Sequence, residues 1–499
     1  MQPFSLSFAQ FVIVGLVVFH ARRDAAWRRA VLASLNLVFL ATFADSWLEL
    51  VPLAGFIGLS VVAVQLMSRS RELALCIVSI AALLVTYLHL KHYAIVGFLK
   101  PLEFGYVTAG LGYMIFRVLH VLIDCYQMPD QPRDASPWKF FNYLTSFLTF
   151  TAGPVQRYED YLADDQELAS TSMLSIEDVQ YAFGRISDGL LRLGVLGPYM
   201  LIAHHYCRDR IHWHMFAFGL AALFYMLFIF LNFSGYMGLM IGIGRLFGRR
   251  LPENFDSPFL AANFLDFWNR WHITVSQWFK TYVFNNLLGA LCRRWPQPAL
   301  LPYFGVAGYF IVFFILGLWH DWGHCFLLLA LLQAFGVSLN KLWEVELRRH
   351  LGRQRHAALV GRLWYRMLAR ALCLAYFTMS TIPAWEGARY GDLLQYAQWT
   401  GVGGIVLNFL ACVLGFLSLE AAARLGLVLW TESERWLPRA RADFSSQLII
   451  STRIFVLVLL MLPDAPKDNP HAFHPGMVQR GAHDDSILHA ASVFYGRNR

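Results

Sequence analysis

Charge is what this sequence has least of: only 15% of its 499 residues are Asp, Glu, Lys or Arg, where a soluble domain carries about 25%. That scarcity excludes a large water-facing surface. Paired cysteines are also missing. Cys76, Cys125, Cys207, Cys292, Cys325, Cys373 and Cys412 are odd in number and form no CxxC spacing, so neither a disulfide framework nor a zinc module is expected. The N-terminus lacks a basic segment followed by a small-residue cleavage site, and the run Phe8–Phe19 reads as a retained first helix. No repeat of fixed period appears, which argues against a transporter built from duplicated halves. No polar stretch interleaves basic and aromatic residues, so nucleic acid is not an expected partner.

Apolar length is abundant instead. Hydrophobic residues make up 57% of the chain, and mean hydropathy is +0.46. A spanning helix needs about 20 mostly apolar residues. Runs of that kind occur at 3–20, 31–47, 48–67, 73–91, 106–126, 189–207, 213–244, 298–319, 323–340, 367–385, 401–421 and 447–463. The expectation is an all-α, multi-pass protein of a cell inner membrane, with roughly 10–12 spanning helices around a central cavity. Residues 1–463 form one transmembrane domain and 464–499 a polar tail. The net charge of +8 gathers beside the apolar runs, at Arg22-Arg23, Arg28-Arg29, Arg249-Arg250, Arg293-Arg294 and between Lys341 and Arg370. Lys and Arg concentrate on the cytoplasmic side, which places those loops inside if 298–340 is a hairpin dipping from that face.

Three further stretches read as partly inserted. Segment 138–156 contains Thr149, Thr151, Gly153 and Pro154, which suits a re-entrant piece lining a cavity. A helix beginning at Ser175, with Asp178 as capping partner, puts Ile176, Val179, Phe183, Ile186 and Leu190 on one in-plane face. Read as one helix, Phe264–Phe284 places Trp268, Trp271, Val275, Trp278, Phe279 and Tyr282 on one arc. Its opposite arc carries Asp266, Asn269, Arg270, Gln277 and Lys280, and its three tryptophans read as interfacial anchors. His272 breaks the pattern by falling inside the aromatic arc. The spacings Gly238/Gly242 and Gly244/Gly248 imply close helix packing. His204, His205, Cys207, His212 and His214 match no closed metal site.

The sharpest chemical feature is Gly317-Leu318-Trp319-His320-Asp321, a histidine at the closed end of an apolar hairpin. Histidine titrates near neutrality and serves as a general base, while polar groups at membrane depth are costly and mark function. The residues alone leave catalysis and a hydrogen-bonded structural histidine both open. His324 lies close enough to share the cavity, and Arg117 is a charge at membrane depth facing the interior.

Five blocks occur in one order: Thr151-Ala152-Gly153-Pro154-Val155-Gln156-Arg157-Tyr158; Phe233-Ser234-Gly235-Tyr236; Leu251-Pro252-Glu253-Asn254-Phe255; Phe267 through Phe279, reading FWNRWHITVSQWF; and Gly317-Leu318-Trp319-His320. Together, over about residues 100–345, they resemble the membrane-bound O-acyltransferase family, in the bacterial branch containing alginate O-acetylases and teichoic-acid D-alanyl transferases. The sequence departs from that pattern at Asp321, often glycine in the family, at Met237-Gly238, and at Gln333, where a further histidine is common. The resemblance implies acyl transfer from a thioester, acyl-CoA or an acyl-carrier protein, to a hydroxyl, with no tightly bound cofactor and no metal. It implies His320 as general base, His272 as second catalytic or tunnel-lining histidine, and Trp268, Asn269, Arg270, Trp271, Trp319 and His324 around the cavity or donor. Implied partners are membrane lipid, a cytoplasmic acyl carrier protein, an extracytoplasmic SGNH-type acyltransferase or esterase, and a polysaccharide acceptor. D-alanyl transfer is the nearest alternative reaction; an exporter of an acyl group or polymer is the alternative of another class.

Overall fold

A computed structural model describes residues 5–93, 96–100, 102, 104–128, 136–170, 174–320, 323–385 and 390–434. Among these the chain is helical, without a β-strand; Phe255 and Trp271 form an isolated bridge. The helices are α1 (Leu6–His20), α2 (Ala25–Ala41), α3 (Val51–Ser70), α4 (Leu73–Leu90), α5 (Leu111–Gln127), α6 (Pro137–Thr145), α7 (Tyr158–Ser170), α8 (Ile176–Leu191) and α9 (Gly197–Arg208). They continue with α10 (Ala217–Leu246), α11 (Phe264–Arg270), α12 (Ile273–Phe279), α13 (Asn285–Arg294), α14 (Leu301–His320), α15 (His324–Gly361), α16 (Leu363–Ser380) and α17 (Tyr390–Glu434). Eight helical runs among the described residues are long and apolar enough to cross a membrane; α1, α2 and α5, with 15, 17 and 17 residues, are shorter. Candidate span 447–463 and the tail lie outside the described residues. Large apolar side chains point outward on these helices, Ile13, Val14 and Val17 on α1 and Val402 on α17 among them. Water would penalise that surface, and lipid accommodates it.

Helix α8 is longer than the sequence suggested. Its capping box forms, Ser175 Oγ accepting from the Asp178 amide at 3.1 Å and Asp178 Oδ2 from the Ser175 amide at 3.2 Å. The helix does not stop at the end of that apolar face, however. It runs through a π turn over Arg192–Leu196 into α9, giving the 33-residue stretch Ile176–Arg208. The π turn absorbs Pro198, which lacks a backbone donor.

Glycine brings α8 and α10 into backbone contact. A Cβ at Gly189 would lie 2.7 Å from Gly235 O, and one at Gly242 would lie 2.9 Å from Ala182 O. Packing through small residues is therefore correct for Gly242, while Gly248 instead ends the helix region with φ +69°.

The re-entrant reading of 138–156 fits the nine-residue α6, which rises about 14 Å, half a hydrocarbon core. The backbone after it needs partners, and buried side chains provide them. Arg117, fully buried on α5, donates to the carbonyls of Tyr143 (3.2 Å), Leu144 (3.3 Å) and Thr149. Asn36 of α2 accepts from the Phe147 amide at 2.9 Å. The interior charge is thus a clamp on irregular backbone.

Candidate active site

The site begins with a helix that fails to continue. Buried Asn254 accepts the Thr274 amide at 3.0 Å and the Thr274 hydroxyl at 2.7 Å through Oδ1, and the Ile273 amide at 3.0 Å through its carbonyl. Thr274 Oγ1 in turn accepts the Val155 amide at 3.1 Å. These bonds satisfy the first amides of α12 from outside the helix. The chain at Trp271 is extended, and His272 adopts φ 47°, ψ 50°. The continuous amphipathic helix expected over 264–284 is therefore three pieces, α11, α12 and a π turn over Lys280–Phe284. The aromatic arc survives as buried Trp271, Val275, Trp278, Phe279 and Tyr282. Trp271 and Trp278 are core residues rather than interfacial anchors; Trp278 Nε1 donates to Phe116 O at 3.0 Å.

A left-handed histidine is uncommon and costs energy that the surroundings must offset. Here it turns the ring onto the aromatic side chains of Phe233 and Tyr113. His272 is 7% exposed, lies 4.8 Å edge-on to Phe233, and has Nε2 buried without a hydrogen-bond partner. Burial chiefly, and the neighbouring His320 secondarily, push its pKa down to about 3, so the imidazole is neutral at physiological pH.

His320 ends α14, with its ring 4.5 Å from Trp319 and stacked at 5.7 Å on Phe326 of α15. Gly317, one turn earlier, permits this hairpin: a Cβ there would meet the Ala330 methyl at 2.6 Å and Phe326 O at 3.0 Å. Trp319 Nε1 donates to Gly112 O at 2.9 Å, and the Tyr93 hydroxyl donates to Leu318 O, fixing the end of α14 against α5 and the turn after α4. Tyr113 joins the two histidine-bearing elements, its ring 6.4 Å from His272 and 5.3 Å from Trp319.

The structure thus brings His272, His320 and Trp319 together. It does not gather the others. Trp268 and Trp271 pack in a neighbouring cluster, against Phe313 at 4.9 Å and Phe267 at 5.5 Å respectively. Arg270 is engaged by Asp266 at 3.0 Å and Asp256 at 3.7 Å, and Asn269 is exposed. His324 is exposed at the start of α15, beyond the helix break, and Asp321 lies outside the described residues. Gln333 donates to Ser380 Oγ at 2.9 Å. His204 is bonded to Ala221 O at 2.9 Å and packs beside Tyr225 and Trp385.

Sequence reasoning missed Tyr113, Phe326 and the supporting pair Asn254/Thr274. Their signal was faint: Tyr113 sits one turn before Arg117, and the others lie in or near the quoted blocks.

A buried pair of histidines, one ending a helical hairpin and one at a helix break, defines a class that comparison makes specific. Residues 114–378, more than half of the chain, match the model of MBOAT, the membrane-bound O-acyltransferase family, and the chain belongs to that family. A teichoic acid D-alanyltransferase of Bacillus subtilis is 26% identical over 246 residues, 47% of this chain and 59% of the relative. The protein of the same name from Lacticaseibacillus rhamnosus is 25% identical over 376 residues, 69% of this chain and 88% of the relative. A probable alginate O-acetylase of Pseudomonas aeruginosa is 26% identical over 330 residues, 62% of this chain and 58% of the relative. The chain therefore spans little more than half the length of two of these three.

Proposed function

We propose that this protein transfers a small acyl group from a thioester donor to a hydroxyl of a cell-envelope polymer or of a partner protein, with His320 as general base. The observation that carries the reading is that two imidazoles from separate signature blocks meet around one aromatic cluster, Tyr113 and Trp319, with His272 Nε2 buried and unpartnered. Buried polar groups are normally satisfied, so a vacant ring nitrogen beside a candidate base is suited to a substrate. In the reaction, the acceptor oxygen attacks the thioester carbonyl as His320 takes the hydroxyl proton. The tetrahedral centre then collapses, the C–S bond breaks, and the departing thiolate recovers the proton from His320. A positioned base contributes about 10²–10⁴-fold. In one neutral tautomer, His272 presents a donor to the carbonyl oxygen as negative charge develops there.

The donor is acyl-CoA or an acyl-carrier protein entering from the cytoplasm, and the chain works in a cell inner membrane as one domain over 1–463. An extracytoplasmic SGNH-type protein completes transfer where the acceptor is polysaccharide. Acetyl transfer is the first reading, suggested by the alginate relative; the two teichoic-acid relatives favour D-alanyl transfer as the second. Mass spectrometry of the envelope polymer with and without this protein tests both. An ester-linked acetyl or D-alanyl group should vanish on deletion and return with the gene. An unchanged polymer and unchanged protein esterification would refute the reading.

A further inference from the structure

Helix α15 is longer than a membrane needs. Its first twenty residues, from His324, rise about 30 Å, the thickness of a hydrocarbon core. The helix nevertheless continues to Leu351, where Gly352 breaks it with non-helical φ +73° and ψ 164°, and a second short helix runs on to Gly361. A short return through Arg362 leads into α16. Residues 344–366 therefore emerge at the level of lipid headgroups. Their charges divide into two sets. Arg348 and Arg349 are engaged by Glu344 at 3.1 Å and Glu346 at 3.9 Å. Arg353, Arg355, Arg362 and Arg366 are exposed and face no carboxylate among the described residues. Exposed apolar side chains alternate with them: Trp343, Val360, Leu363 and Trp364. Trp343 Nε1 donates to Tyr365 Oη at 3.2 Å, so the helix end and its return form one platform.

Neither water nor hydrocarbon suits such a surface, since the first penalises the apolar half and the second the guanidiniums. The headgroup layer accepts both, with tryptophan at the boundary and arginine on phosphate. We infer that this platform binds anionic phospholipid, the unpaired arginines gripping phosphate-bearing headgroups while Trp343 and Trp364 seat in the boundary. Basic clusters beside a spanning helix attract anionic lipid by about fivefold per charge. The inference depends on the membrane crossing of α15 and not on acyl transfer.

The test uses the full chain in nanodiscs of mixed phosphatidylglycerol and phosphatidylcholine, with retained lipid read by native mass spectrometry. The combined variant R353Q/R355Q/R362Q/R366Q should lose at least tenfold of the preference for phosphatidylglycerol. R22Q/R23Q/R293Q/R294Q, which removes equal charge from two smaller, separate clusters, should lose clearly less of it. The four-lysine version, R353K/R355K/R362K/R366K, keeps folding and charge and should retain most of the preference. An unchanged preference in the glutamine variant, or an equal loss in the charge-matched control, would overturn the inference. So would binding of poly-glutamate by the wild type without any lipid preference, which would assign the platform to an acidic protein.

Discussion

Gly317→Ala adds one methyl group where α14 and α15 meet. The new carbon would stand 2.6 Å from the Ala330 methyl and 3.0 Å from Phe326 O, whereas carbon atoms in contact sit about 3.5–4 Å apart. Ala330 has no rotamer to change, so the hairpin must open by about 1 Å. Overpacking of this kind costs about 1–3 kcal/mol. The functional loss should be larger, because His320 lies one turn away on the same helix, and a 1 Å misplacement of a reacting group costs about 100-fold. Gly305→Ala is the matched control: it lies on α14, and a Cβ there meets nothing within 4 Å. Alanine should be neutral or slightly stabilising at that position through helix propensity. Both variants would be reconstituted in proteoliposomes, with transfer from a labelled acyl thioester measured beside thermal unfolding. Equal activity in the two would refute the claim that tight hairpin packing positions the base.

Other consequences follow from named contacts. Arg117→Met should destabilise the protein by at least about 2 kcal/mol, since it strands the carbonyls of Tyr143, Leu144 and Thr149, and each unsatisfied group costs about 1–3 kcal/mol; thermal unfolding in detergent measures it. Thr274→Val keeps the shape and the backbone bond to Asn254 but loses the hydroxyl's bonds to Asn254 Oδ1 and the Val155 amide. It should cost about 1–3 kcal/mol and lower the rate of acyl transfer, whereas substitution of exposed Gln277 by Ala on the same helix should affect activity little. His272 lies outside the spans, with a folded pKa of about 3 against about 6.5 unfolded. Between these values the unfolded chain binds a proton that the folded chain does not, so stability is full above about pH 6.5 and falls with acidification. His272→Gln should flatten the slope of unfolding midpoint against pH on the acid side of about pH 6.5; an unchanged slope would contradict the burial of this ring.

Much of the architecture was legible because lipid imposes a simple code. Apolar runs of spanning length recur as helices, and α6 is short where Thr149, Gly153 and Pro154 predicted an interrupted piece. His320 stood out as a polar group in an apolar hairpin. What escaped the sequence depended on partners distant along the chain. A helical wheel assumes that 264–284 is continuous, and only Asn254, some twenty residues earlier, reveals why the chain breaks at His272. Asn269 and Arg270 stay on the opposite face, as the helical wheel implied, in solvent and against Asp266 and Asp256. Gly317 reads as an ordinary small residue until Ala330 is placed opposite it. Arg117 declared itself as an interior charge, but its clamp on the carbonyls near Thr149 exists only after folding.

His320→Ala tests the central claim most directly. The variant should reconstitute and unfold like the wild type while single-turnover transfer from a labelled acyl thioester falls by at least about 100-fold. Transfer at the wild-type rate from a correctly folded His320→Ala protein would contradict the account of His320 as the base.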